Sequence, residues 1–367
     1  MVECAMSIPR VLALTGTAAA VLIASAAGTA ALGATGRHPA TAAHPAAIAH
    51  ATLYAVSAVP NSADLWGVGS SGSGVDNDTY FVLHRHAGVW HRLAAPKLGG
   101  RYGSLTGIDA ASASVIWLYG ARQVDGIQGL PTVWRLTGSR WVVAKVPTFE
   151  NGATTMADVS ASSATNAWAV GGLWIGADAT EVAMHWNGRT WTAVDYPDPD
   201  NSTLLSVSTS SPGNAWAVMS DGTLLHWNGH VWADSGTPPT NVSIGAISSR
   251  SASSAYAVGT NDTNDHGVIL KWNGHTWTTV KTTSYGLAEV TQKGTSVWAL
   301  GDNHIVHSTG GAFTAEKVGG SNDYFSSLSA ESSRVAYLAG QFYNRNLGIG
   351  YTLLEAFNGR TWSSISS

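Results

Sequence analysis

Residues 205–218 read LSVSTSSPGNAWAV and residues 224–232 read LLHWNGHVW; upstream, residues 159–172 read VSASSATNAWAVGG and residues 184–191 read MHWNGRTW. These are two copies of one unit. Taking the aromatic of the "AWAVG" segment as a marker finds it at Trp66, Trp117, Trp168, Trp216, Tyr256, Trp298 and Tyr337, seven times at a mean spacing of about 45 residues. Three positions on stands Gly69, Gly120, Gly171, Gly259, Gly301 or Gly340, with Met219 the exception. A second aromatic closes each unit, at Trp90, Trp141, Trp191, Trp232, Trp277, Phe313 and Trp362.

Within a unit, four short apolar or alternating runs are bounded by Gly, Asn, Ser or Pro, which is how strands are punctuated. In the fourth unit they are Leu204 to Thr209 (strand a), Ala215 to Met219 (b), Thr223 to Trp227 (c) and Val231 to Ser235 (d). Asn187-Gly188, Asn228-Gly229, Asn273-Gly274 and Asn358-Gly359 lie between c and d, and read as hairpins whose residues tolerate positive φ. Helical periodicity is absent. Seven such units without crossovers or capping repeats predict an all-β fold, a seven-bladed β-propeller of four-stranded antiparallel blades. Blades diverge outward, so the Ser- and Ala-rich strand a belongs at the axis and the Trp-bearing strand d at the rim. Each blade is expected to be contiguous in sequence, with the last packing on the first.

A small-residue strand, an aromatic strand ending in Gly, then a "WNG" turn and Trp resembles the kelch repeat and the propeller of galactose oxidase-like proteins, from Leu53 to Ser364. The kelch glycine pair is present only at Gly171-Gly172. The "NAWAVG" and "LLHWNG" wording is more similar to that of a group of secreted bacterial propellers. Galactose oxidase-like chemistry would need a tyrosine cross-linked to cysteine. The one cysteine, Cys4, precedes the repeats and would leave with a cleaved leader.

The repeat also separates scaffold from site, because a residue recurring in every blade is spread around the axis and its copies cannot converge. His84, His185, His226 and His307 share one repeat position, which Arg135, Lys271 and Ala356 fill elsewhere, and read as structural rather than metal-ligating. The b-c and d-a connections differ from blade to blade and emerge on one face. Loop aromatics with scattered polar groups suit a ligand, and the candidates are Trp174, Tyr102, Tyr196, Tyr324, Tyr343, Asp125, Asp178, His266 and Arg345. Trp174 stands out because 14 of the 16 tryptophans occupy three repeat positions, Trp134 belongs to strand c, and Trp174 alone is expected in a loop. Acidic loops such as Asp76-Asn77-Asp78 and Asp262-Thr263-Asn264-Asp265 offer calcium-type oxygens without EF-hand spacing.

Charged residues make up 11% of the 367 and hydrophobic ones 44%, with a net charge of −4, which excludes a disordered chain and gives no footprint for nucleic acid. Arg10 precedes an uncharged, Ala-rich stretch from Val11 to Ala34 laid out as a secretory signal. The competing reading is an uncleaved membrane anchor, since the stretch is long enough to span a bilayer, but its many Ala, Gly and Thr residues make it only weakly apolar and favour cleavage. The expected organisation is a signal over 1–34, an Ala/Pro linker over 35–50 and the propeller over 51–367, in a secreted monomer without stable membrane insertion. No nucleophile elbow, zinc helix or phosphate loop is present, so no cofactor or metal is demanded. The expected function is extracellular binding of carbohydrate or peptide through the variable b-c/d-a face. The alternative is a carbohydrate-active hydrolase or lyase using carboxylates, such as Asp125 and Asp178, on that face.

Overall fold

The computed structural model describes residues 48–72, 79–100, 103–124, 127–147, 153–175, 178–197, 202–236 and 238–365. Seven four-stranded antiparallel sheets follow one another, each in the order a-b-c-d, and no helix occurs among the described residues. Blade 1 is Ala51–Ala58, Leu65–Ser71, Thr79–His86 and Val89–Ala94; blade 7 is Asp323–Ala330, Ala336–Asn344, Ile349–Phe357 and Trp362–Ser364. In blade 4 the strands are Leu204–Ser211, Asn214–Met219, Leu224–Trp227 and Trp232–Asp234, close to those expected.

Each core cluster lies between consecutive blades and is built on the marker aromatics. The buried strand b ring of one blade meets the c and d aromatics of the next: Trp117 lies 5.4 and 5.3 Å from Trp186 and Trp191, and Trp168 lies 4.9 and 4.8 Å from Trp227 and Trp232. Near-perpendicular contact of this kind adds about 0.5–1.5 kcal/mol per pair to the burial. Tyr337 of blade 7 packs with Leu53, Leu65 and Phe81 of blade 1, so the same packing closes the ring.

The recurring histidine covers the other face of that strand b ring. His84, His185, His226 and His307 stack on Trp66, Trp168, Trp216 and Trp298 at 3.9, 4.6, 4.2 and 3.3 Å. In blades 2 and 5 a cation takes the slot, Arg135 over Trp117 and Lys271 over Tyr256. In blades 3 and 4 the imidazole Nε2 also lies 2.8 Å from Oδ1 of the asparagine that opens strand b, Asn166 or Asn214.

Strand a carries the ring's polar seam. Backbone N–H groups of Ala110, Thr209, Ser249, Gln292 and Ala58 donate to the hydroxyls of Ser57, Ser160, Ser208, Ser248 and Ser329 on the preceding blade. Ala161 N–H donates to Asp109 in the same way. A second row uses Val207 to Asp158, Ile247 to Ser206 and Val56 to Ser327. The Ser-rich composition of this strand is therefore a hydrogen-bonding device as well as a fit to the crowded axis.

Two expectations are corrected. In the Asn-Gly turns only the glycine has positive φ, +96, +98, +101 and +94 at Gly188, Gly229, Gly274 and Gly359. The asparagine instead accepts through Oδ1, as Asn187 does from the N–H groups of Arg189 and Thr190. The closure is also more than packing. Thr352 N–H donates to Ile48 O at 3.1 Å, Ile48 N–H donates to Thr352 Oγ1 at 2.9 Å, and Ala49 bridges Tyr351. Residues just before blade 1 thus pair with strand c of blade 7, beyond the span where its short strand d pairs.

Candidate functional site

The end of strand b, the start of c and the start of a share one face of each blade. On blade 7 that face carries Tyr324, Tyr343 and Leu347, exposed by 53%, 39% and 61%, together with exposed Arg345. Tyr324 pairs with Gln341 across strands a and b, and Tyr343 follows Gln341 by two residues, so the pleat sets the three on one side of the sheet. That side faces blade 1: Gln341 Nε2 donates to Thr52 Oγ1 at 2.6 Å. Tyr343 N–H donates to Asn322 O at 2.8 Å, tying the end of b to the approach of a. The turn beyond is held by Asn344, whose Oδ1 accepts from the N–H groups of Asn346 and Leu347.

Between blades 7 and 1 a cleft of about 440 Å³ opens, lined by His50, Thr52, Tyr54, Ser70, Gly72, Gln341, Gly348 and Gly350. Its glycines make room: a Cβ at Gly350 would stand 2.3 Å from the Gln341 amide nitrogen. Among the described residues the lining offers hydroxyls, an amide and an imidazole, and no carboxylate. Among the described residues no three His, Asp or Glu ligand atoms converge on this face. The cleft can therefore hold a ligand by stacking and neutral hydrogen bonds, and its described residues offer no paired acid and base.

The other sequence candidates fall elsewhere. Tyr102 and Asp125 lie outside the described residues, as do Asp76 and Asp78. Trp174 and Asp178 are strand residues rather than loop residues: strand b of blade 3 runs to Ile175 and strand c starts at Asp178, the apolar run Leu173 to Ile175 extending the hairpin. Their side chains lie outside the described residues. Tyr196 is buried, because the connection from d to the next a carries it into the core between blades 3 and 4, and its hydroxyl donates to Ser202 O. His266 is exposed in blade 5, two blades from the cleft. In the neighbouring acidic turn Asp262 accepts from Ser243 Oγ and Asn264 caps His266 N–H, so these oxygens build the turn.

A buried acidic group at the axis was not among the sequence candidates. Asp158 accepts from the N–H groups of Val159 and Val207 and from the Ser206 and Tyr119 hydroxyls, yet burial pushes its pKa up to about 6. Burial likewise raises Asp109 to about 7, and burial with the nearby Asp158 charge raises Glu289 to about 8. Asp109 and Asp158 occupy belt positions, which makes their first role structural. Their departure from serine at those positions was the available signal.

No protein-family model matches the chain, and no curated protein matches it. Solved structures do match in fold. YCF48 bound to D1 peptide superposes with a TM-score of 0.56 at 14% identity, over 84% of this chain and 94% of that one. A catalytically inactive virginiamycin B lyase from Staphylococcus aureus with quinupristin gives 0.56 at 9%, over 83% and 95%. The GH74 xyloglucanase from Xanthomonas campestris gives 0.59 at 13%, over 86% of this chain and 54% of that larger protein. At these identities the likeness is one of fold: the chain is a seven-bladed β-propeller.

Proposed function

We propose that this propeller is an exported interaction module that holds an extended peptide in the cleft between blades 7 and 1. The observation that carries the reading is the side-by-side placement of exposed Tyr324 and Tyr343 around Gln341, on the pleat facing a cleft lined with neutral hydrogen-bonding groups. Exposed tyrosines supply large contact area at little entropic cost, and an amide with hydroxyls matches the alternating donors and acceptors of a peptide backbone. The peptide-bound propeller among the structural neighbours supports the choice of ligand class. Export rests on the signal-like stretch after Arg10, and the kelch-like repeat wording is in keeping with an interaction role.

The test is a peptide and glycan array probed with the protein, followed by titration of any hit against Tyr324→Ser and Tyr343→Ser. Each variant is expected to weaken a captured peptide at least about tenfold while leaving the denaturation midpoint nearly unchanged, as exposed positions do. Capture of glycans alone, or hits indifferent to both tyrosines, overturns the reading. Turnover of a captured glycan would establish the hydrolase or lyase alternative. The mass of the protein recovered from the medium of a secreting host checks cleavage of the leader.

A further inference from the structure

On the opposite face, blade 1 departs from its sisters at the two positions flanking the stacked histidine. Where blades 3 and 4 open strand b with Asn166 and Asn214, blade 1 has Asp64; where the c-d turns carry Asn187, Asn228, Asn273 and Asn358, two residues past that histidine position, blade 1 has His86. Both changes replace an amide with a metal-ligating group. The geometry changes with them. His185 and His226 each hold their asparagine at 2.8 Å, but His84 Nε2 stands 3.7 Å from Asp64 Oδ2, buried and without a hydrogen-bond partner. His86 Nδ1 lies 3.0 and 3.1 Å from the two Asp64 oxygens. The three ligand atoms all fall within 4.8 Å of one another.

We infer that Asp64, His84 and His86 form a binding site for a divalent transition-metal ion of the zinc type. Ligands about 2.0–2.2 Å from one tetrahedral ion stand roughly 3.4 Å apart, between the two separations seen here. Two imidazoles with one carboxylate select zinc and its neighbours over calcium or magnesium. His84 is fixed by its stack on buried Trp66, so the site has one rigid ligand. His86, with a side chain 64% exposed, can swing to complete the set and leaves a fourth position open to water or to a partner's side chain.

The test is calorimetric titration of the full chain with Zn²⁺ alone, with Co²⁺ absorption as a second readout, on the wild type, Asp64→Asn and His86→Asn. Both substitutions install the residue that sister blades carry, so the fold is kept, and an unchanged metal-free melting curve verifies this. The wild type is expected to bind one Zn²⁺ with a Kd tighter than about 10 μM, to show the intense visible bands of tetrahedral Co²⁺, and to lose both at least about tenfold in each variant. Weak binding by the other histidines is common to all three proteins and cancels. Equal zinc uptake by wild type and variants, or no uptake by the wild type in that range, overturns the site.

Discussion

Trp191 is buried edge-on against Trp117 of the preceding blade. Trp191→Ala is expected to cost about 3 to 5 kcal/mol, read as a fall in the chemical-denaturation midpoint. A different response is expected at Asp109, where burial raises the carboxyl to about 7. Because the folded state holds this proton more tightly than the unfolded chain, its contribution favours folding below about pH 4 and is lost as pH rises through 7. Asp158 and Glu289 act in the same sense. Asp109→Ser keeps an acceptor for Ala161 N–H, as serine does at this belt position in other blades, and removes the titrating group. Melting temperature against pH is expected to fall less steeply between pH 4 and 8 in this variant. The belt serines were legible in sequence as small residues for a crowded axis. Their acceptor role was not, since composition records size but not which neighbour's N–H a hydroxyl faces.

At the scale of the strand, the glycine that closes "AWAVG" answers to a bulge in strand a. The register slips at Leu53/Ala55, Leu105/Gly107, Ile244/Ala246 and Phe325/Ser327, and a carbonyl just before the slip turns towards strand b. A Cβ at Gly259 would stand 2.0 Å from Ser243 O and 2.8 Å from Ile244 Cα, both backbone atoms. Gly259→Ala is therefore expected to destabilise by about 1–3 kcal/mol through forced displacement of strand a, again checked by the denaturation midpoint. Nothing in the structure explains why Met219 is accepted at this position in blade 4. Strand number and order were readable because seven copies vote on each boundary. The b-c hairpin of blade 3 was not: its length varies around the ring, strand b running to Val124, Ile175 and Asn344 in blades 2, 3 and 7 but ending at Met219 and Gly301 in blades 4 and 6, so an extended strand read as a loop.

Around the whole ring, the junction of blades 7 and 1 uses the same parts as the others. Val56 and Ala58 N–H donate to Ser327 and Ser329 at 3.0 Å each, as equivalent groups do between interior blades. Replacing both serines by alanine leaves two N–H groups without acceptors and is expected to cost about 1–3 kcal/mol for each. Thermal unfolding should stay a single transition, measured by near-UV circular dichroism, because the interblade cores form an unbroken circuit. The cleft at this junction was the least legible feature. Thr52 and Gln341 stand far apart in the chain and meet only when the circle closes, so no local pattern announces them. The belt bonds run in one sense, a blade accepting from the next at the junctions of blades 1 to 6 and again where blade 7 meets blade 1. Where the chain happens to begin is then of small energetic consequence. A circular permutant that joins residue 365 to residue 48 through a short linker and opens the chain between Asp234 and Asn241, where blade 4 passes to blade 5, should rebuild the same seven-membered circle. It would also keep the Ile48 to Thr352 clasp, now as an internal contact.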